Sequence, residues 1–317
     1  MSIKLIALDM DGTLLDNDHA TVPPRNVAAL RAASERGVKI AIASGRAWCL
    51  VEDVAREMGF VDYAVLANGA AIRDVRTGEC LYREGMGEEQ VRAIVRLLRA
   101  RDIPFEVYQN GRSYMDGSCG VEKAKAAAVV SPAFAKVLFE HMTYTDDMER
   151  TLAGDMAEKF NVFHVEPEER EELLAAIAAT GPVACASSTA SNLEITSPKA
   201  DKGAALAVLC GRLGITPEEV MAFGDAENDL GMLSWAGCSF AMANGSKGAK
   251  AAAKRITGPN HEAGGCFLYC GRRGPPCGCD WGPAGRGIQS IYGCVTAADA
   301  SPARRARRHR PHPGSSR

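Results

Sequence analysis

Ile3 to Leu8 is an apolar run, interrupted only by Lys4, that stops at Asp9. So short a run suits a parallel strand buried on both faces, although composition alone would also allow a buried helical segment. Pro23 and Pro24 then open a stretch in which Val27, Leu30 and Ala33 recur at helical spacing, and Gly37 closes it. Val38 to Ala43 repeats the strand pattern and ends at Ser44-Gly45-Arg46. A helix over about Leu50 to Met58 and a strand over Tyr63 to Ala67 follow, ending at Asn68-Gly69. This alternation predicts an α/β fold: a doubly wound, parallel, Rossmann-like sheet with right-handed crossovers.

The pattern then changes. Glu88 to Arg101 is amphipathic, Phe105 to Gln109 and Ser113 to Met115 read as strands, and a less regular middle leads to a strand at Phe160 to Val165. A helix over about Pro167 to Ala179 and strands at Val183 to Ser187 and Leu193 to Thr196 complete the region. Helices beside hairpin-like strands predict an inserted α+β cap over 84–190, splitting a core of 1–83 and 191–265. Within the resumed core, a helix spans Lys202 to Leu213, a strand Val220 to Phe223 before Gly224-Asp225, a helix Asn228 to Trp235, and a short strand Ser239 to Met242.

Composition adds one complication. The 317 residues are 46% hydrophobic and 24% charged, as in ordinary globular proteins, and the length suggests two domains. No apolar run reaches the roughly 18–20 residues of a membrane helix, and nothing resembles an export signal, so the cytoplasm is the expected compartment. The net charge of −2 conceals an asymmetry: nine arginines and only two acidic residues lie from Cys266 onward. The body is therefore acidic and the 266–317 tail strongly basic. Six cysteines (49, 80, 119, 185, 210 and 238) are scattered through the body and read as reduced, small core residues. Three readings of the tail stay open. Cys270, Cys277 and Cys279 could hold zinc, though without a paired Cys-x-x-Cys. Arg304 to Arg310 could meet a nucleic acid or another polyanion through charge. An unstructured extension, possible product of a shifted reading frame, is the third and preferred reading.

The candidate chemistry lies at strand ends, where open α/β sheets bind their ligands. Asp9, Ser44, Asn68 and Asp225 each follow an apolar strand. Asp9 and Asp11, two residues apart, can address one site, and Gly12 lets the backbone turn away sharply. A carboxylate that attacks an anionic phosphate monoester needs a cation between them, and magnesium favours such oxygen ligands. Gly224-Asp225-Ala226-Glu227-Asn228-Asp229 supplies a second acidic cluster, although Asn228 or Asp229 could simply cap a helix. Ser44 and Lys202 suit phosphate binding through a hydroxyl and an ammonium.

Asp9-Met10-Asp11-Gly12-Thr13, Ser44-Gly45-Arg46, Lys202-Gly203 and Gly224-Asp225 with Asn228-Asp229 resemble, in order, the four motifs of the haloacid dehalogenase superfamily of phosphatases. Asn68-Gly69-Ala70 and Ala241-Met242-Ala243-Asn244 look like marks of its Cof-type branch, whose large α/β cap sits between the second and third motifs. The resemblance spans about residues 3–263. It implies a magnesium-dependent phosphatase for small phosphorylated metabolites, with sugar phosphates foremost. Asp9 would be the nucleophile, and Asp11 the acid that protonates the leaving alcohol and the base that later activates water. Magnesium would be held by Asp9, the Asp11 carbonyl, Asp225 and Asp229. Ser44, Gly45, Asn68, Lys202 and Asn228 would bind phosphate or substrate, and Tyr108, Arg112 and Tyr114 are candidates for facing it from the cap. Family members usually continue into a further helix after a segment like 257–265, and this chain departs from that.

Two rivals remain at this stage. A phosphotransferase or phosphomutase could use the same Asp9 chemistry with a sugar as acceptor. A catalytically silent phosphometabolite-binding protein is a different class, and the second carboxylate at Asp11 argues against it. An aromatic content of 6% offers no stacking platform for nucleic acid. Oligomeric state leaves no trace in the sequence.

Overall fold

The computed structural model describes residues 3–117, 121–128, 130–187 and 191–262; the basic tail and Cys119, with the readings placed on them, lie outside these. Six parallel strands form most of one sheet: β1 (Leu5–Leu8), β2 (Lys39–Ala43), β3 (Tyr63–Leu66), β12 (Val220–Gly224), β13 (Cys238–Ala241) and β14 (Arg255–Ile256). Their order, β14-β13-β12-β1-β2-β3, reverses direction of travel between β1 and β12. The crevice at such a switch point is where doubly wound sheets take ligands. Leu8 is in register with Phe223, and the Asp9 amide donates to the Phe223 carbonyl at 2.9 Å.

Alternation along each central strand fills two cores. Ile6, Leu8, Ile40 and Ile42 pack with Leu30 and Ala33 of α1 (Pro24–Ser34) and Ala55 and Met58 of α2 (Glu52–Met58). Leu5, Ala7, Ala41 and Ala43 face the opposite way, onto Ala205, Leu206 and Leu209 of α8 (Lys202–Leu213). Strands buried on both faces are the reason the sequence reads as continuous apolar runs.

The sheet also carries an edge that the apolar runs did not predict. β4 (Ala71–Asp74) and β5 (Cys80–Arg83) form an antiparallel hairpin beside β3. Both strands are partly polar, so they lack the signature of the buried strands.

A second, six-stranded sheet has the order β10-β11-β9-β6-β7-β8. Its strands are β6 (Phe105–Gln109), β7 (Arg112–Asp116), β8 (Met142–Thr145), β9 (Lys159–Val162), β10 (Ala184–Ala186) and β11 (Leu193–Thr196). α3 (Glu88–Ala100) buries Val91, Ile94, Val95 and Leu98 against Phe105, Val107, Phe160 and Val162, and α7 (Pro167–Ala178) adds Leu173 and Ile177. The i, i+3, i+4, i+7 spacing on α3 is the amphipathic stripe read from the sequence. The irregular middle resolves into α4 (Val121–Ala127), α5 (Pro132–Glu140), β8 and α6 (Met148–Thr151).

The expected return to the core at residue 191 needs correction. β11 pairs antiparallel with both β9 and β10, so the inserted sheet runs through Thr196. The two connections lie side by side, with the Ser197 hydroxyl donating to Glu84 at 2.8 Å. The cysteine reading also needs adjusting: Cys210 is buried and Cys49 and Cys238 half-buried, but Cys80 and Cys185, on the outermost strands, are exposed; all five are free thiols. Among the described residues no helix is long and apolar enough to cross a membrane.

Candidate active site

Asp9 leaves β1 into a tight turn, Met10–Leu14, in which Gly12 adopts φ +80°. The turn, rather than strand alternation, presents both Asp9 and Asp11 to the same cavity. A Cβ on Gly12 would stand 2.5 Å from Asp225 Oδ2, so only glycine lets the turn approach β12 this closely. Asn244 Nδ2 donates to the Gly12 carbonyl at 2.8 Å and fixes the turn from the far side.

Asp225 follows β12 directly, and its Oδ1 accepts from Thr13 Oγ1 at 2.7 Å. Asp229 is fully buried. Its Oδ2 accepts the Asp225 and Ala226 amides at 2.9 and 3.0 Å, which is helix-capping geometry, while its Oδ1 faces Lys202. Lys202 begins α8 and is itself fully buried, with Nζ 2.5 Å from Asp9 Oδ1 and 2.8 Å from Asp229 Oδ1. Carboxylate oxygens of Asp9, Asp225 and Asp229 all lie within 4.8 Å of one another. The close packing of α8 on α9 (Leu230–Trp235) that makes this possible uses glycines: a Cβ on Gly203 would stand 2.3 Å from the Gly231 carbonyl carbon.

Three carboxylates share one ammonium, a formal excess of two negative charges. The titration directions follow from that crowding. Burial pushes Asp9 well above the usual carboxylate range against the pull of Lys202, with Asp229 and Asp225 adding to the rise. Burial also lifts Asp225, to about 6, against the Thr13 hydrogen bond and with help from Asp229. Lys202 is raised because its two carboxylates outweigh the burial that would lower it. A divalent cation would balance the excess, and an all-oxygen donor set of this kind fits magnesium.

Asp11 stands apart from that cluster. Arg46 grips it with a fork, Nε to Oδ2 at 2.9 Å and Nη2 to Oδ1, and His19 Nδ1 lies 2.8 Å from Oδ1. Burial works upward on Asp11, but Arg46 and His19 together hold it down at about 2. Arg46 in turn lies under the Phe134 ring of α5, 3.9 Å from its centroid, and the Ser131 hydroxyl donates to the Asp18 carbonyl at 2.5 Å. The cap thus closes over the site, leaving a cavity of about 900 Å³ between the two sheets.

Of the remaining predicted residues, Gly45 and Asn228 line this cavity and Ser44 is fully buried, its Oγ accepting the Arg46 amide at 3.2 Å. Asn68, at φ 60°, spends both ends of its amide on protein: Nδ2 donates to Glu194 at 2.8 Å, and Oδ1 accepts from Asn228 at 2.9 Å. Among the cap candidates, Tyr108 lines the cavity. Arg112 and Tyr114 do not: Arg112 is exposed, and Tyr114 packs into the cap's own core, because residues on β7 alternate faces. Sequence reasoning gave no role to Arg46 or His19 and missed the cap residues Glu106, Lys159, Asn161 and Glu194. Polar residues alternating with Phe, Val, Leu and Ile on β6, β9 and β11 were the available signal.

A profile of haloacid dehalogenase-like hydrolases matches residues 6–267. The phosphatase YwpJ of Bacillus subtilis is 31% identical over 278 residues, covering 83% of this chain and 97% of that protein. The 5-amino-6-(5-phospho-D-ribitylamino)uracil phosphatase YcsE of the same organism is 29% identical, covering 83% and 93%. A haloacid dehalogenase-like hydrolase from Bacteroides thetaiotaomicron superposes with a TM-score of 0.71 at 27% identity, covering 83% of this chain and 96% of that one. Fold, motif order and span agree, and the chain accordingly belongs to the haloacid dehalogenase-like hydrolases, as a Cof-type phosphatase acting on phosphoric monoesters.

Proposed function

We propose that the chain hydrolyses small phosphorylated metabolites, sugar phosphates foremost, by transferring the phosphoryl group to Asp9 and then to water. The observation that carries this reading is the acid cluster at the switch point: Asp9, Asp225 and Asp229 within 4.8 Å of one another, short of positive charge by two. Asp9, Asp225 and Asp229, with the Asp11 carbonyl, would hold magnesium. When bound, magnesium would neutralise the cluster and bring an anionic ester within reach of an anionic nucleophile.

The chain's own residues supply the rest. The Asp9 carboxylate attacks phosphorus, and the ester oxygen leaves as an alcohol once it gains a proton from Asp11. Asp11 is ionised in the Arg46 fork, the form that later takes a proton from the attacking water. To protonate the leaving group it must first leave Arg46 and take up a proton from solvent, so opening and closing of that fork accompanies turnover. Lys202, Ser44 and the backbone at Gly45 stabilise the charge spread over the transferring phosphoryl oxygens. Asn68 and Asn228 act one step further out, where the cap meets the core.

Phosphate release from a panel of phosphorylated metabolites, with magnesium and with chelator, tests the reading. The expected result is magnesium-dependent release in water without any acceptor sugar, abolished by Asp9→Asn. Unchanged turnover in that variant would remove Asp9 as the nucleophile, and release only with an acceptor sugar present would replace hydrolysis by phosphotransfer.

A further inference from the structure

Lys159 on β9 stands directly opposite Tyr108 on β6 and diagonal to Glu194 on β11, so the three side chains share the cap face that meets the core. Lys159 is only 3% exposed, which is rare for a lysine unless its charge is paired. Its Nζ lies 2.7 Å from Glu194 Oε2 and 5.6 Å from the centroid of the Tyr108 ring, and it donates to the Gly45 carbonyl at 3.0 Å. An anion, an aromatic face and a carbonyl therefore engage the ammonium within the protein. The carbonyl belongs to the core, and Gly45 is one of the residues that line the cavity.

The Gly45 carbonyl and the Arg46 amide are the two ends of one peptide group. That amide donates to Ser44 Oγ at 3.2 Å, so the cap lysine holds the peptide by its oxygen and the core serine holds it by its N–H. A hydroxyl has a single proton to donate. Ser44 Oγ accepts here, and its own proton goes to no described residue. Gly45 itself does little to restrain how the peptide turns, since it has no Cβ. Nor could it have one: a Cβ would stand 2.7 Å from Asn68 Oδ1 and 3.6 Å from Lys159 Nζ. A flipped peptide would set its carbonyl against Ser44, which would take the serine's proton, and its N–H against an ammonium. Lys159 excludes that form. Glu194 extends the hold to the next loop, because the same Oε2 accepts Asn68 Nδ2 at 2.8 Å and the Asn68 amide donates to the Ser44 carbonyl at 3.1 Å.

From this we infer that Lys159, braced by Glu194, is a positioning residue for phosphoryl transfer: it fixes the Gly45–Arg46 peptide from the cap and so keeps the Ser44 proton for a phosphoryl oxygen. This rests on the phosphatase reading above, in which Ser44 and the backbone at Gly45 meet that group. Both members of the ion pair are cap residues, so the phosphoryl site is complete only while the cap is closed over the core.

The test measures two quantities on the full chain with magnesium: the affinity for inorganic phosphate, by titration calorimetry, and the turnover of an aryl phosphate. Inorganic phosphate has no body for the cap to touch, so its affinity reports the phosphoryl site alone. Lys159→Met should weaken phosphate binding about tenfold and lower kcat/KM by at least as much, as for a lost charge-assisted hydrogen bond. Lys159→Met with Glu194→Gln strands no charge, so the pair of changes should melt close to the native chain while phosphate affinity stays low. Ser44→Ala should weaken phosphate much less in Lys159→Met than in the native chain, because both changes act on one proton. Glu194→Gln alone separates positioning from direct contact. A lysine that gripped phosphate itself would bind it more tightly once relieved of its anion, whereas a positioning residue that loses its brace binds it less well. Native phosphate affinity in Lys159→Met or in the double variant, additive losses with Ser44→Ala, or tighter phosphate in Glu194→Gln would each overturn the inference and leave the phosphatase reading intact. Neither phosphate binding nor ester hydrolysis by the native chain would overturn both.

Discussion

Replacing Lys202 by methionine removes the ammonium that sits among the three clustered carboxylates, two of them buried, while keeping the length of the side chain. Lys202 is fully buried and pairs at 2.5 and 2.8 Å with Asp9 and Asp229, so the variant leaves two carboxylates without their cation. Breaking a buried pair from one side costs about 3–5 kcal/mol. For a domain of ordinary size that is a fall in melting temperature of roughly 6–20 °C. The effect must be read in chelator, since the formal excess rises from two negative charges to three. Calorimetry with and without magnesium should then show a larger rise on adding magnesium to Lys202→Met than to the native chain, because a cation that binds only the folded state stabilises it by mass action. Adding Asp9→Asn to Lys202→Met should recover part of the loss by removing one stranded charge. If Lys202→Met melts within about 2 °C of the native chain in chelator, and magnesium raises both equally, the charge-balance account of the cluster is wrong.

The Asp11–Arg46 pair gives a pH signature. Its carboxyl is lowered to about 2, so its contribution is complete above the unfolded value near 4 and disappears as pH falls through about 2. In denaturant titrations Asp11→Asn should trail the native chain by about 1 kcal/mol at neutral pH, a figure reduced for the 37% exposure of the side chain, with the gap closing toward pH 2. A constant gap across that range would refute it. Gly12→Ala puts a Cβ 2.5 Å from Asp225 Oδ2 at φ +80°, and should raise the magnesium needed for half-maximal phosphate release by at least about tenfold; an unchanged magnesium titration would show that Asp225 does not need this close approach. Gly85→Ala sets a Cβ 2.5 Å from the Ala157 carbonyl at the entry to the cap, and should shift kcat and KM together, as changes at hinges do. Steady-state kinetics unchanged in both parameters would show that the close approach of Gly85 to Ala157 has no bearing on turnover.

The parallel core was legible because burial on both faces writes itself as apolar runs, and the strand ends then name Asp9, Ser44, Asn68 and Asp225 without further help. The edge hairpin β4–β5 and the helices α4 to α6 were not, since partly exposed elements mix polar and apolar positions with little periodicity. Local spacing suggested that Asp9 and Asp11 share one strand face, whereas the Met10–Leu14 turn sends Asp9 to Lys202 and Asp11 to Arg46. Which carboxylate meets which cation is a tertiary fact: 193 positions separate Asp9 from Lys202 and 35 separate Asp11 from Arg46. Tyr114 was a candidate whose orientation the sequence left open; it packs into the cap's own core, since neighbours on β7 point to opposite sides of the sheet.

The Glu84–Ser197 hydrogen bond means that the inserted unit enters and leaves the core through a single doorway. Each part has its own apolar interior, one built around β1 and β2, the other around β6 and β9. A foreign insert whose ends come equally close together could therefore be grafted at this point without opening the Rossmann-like layer. Recognition and bond-breaking would then be separable traits of the molecule, free to be recombined.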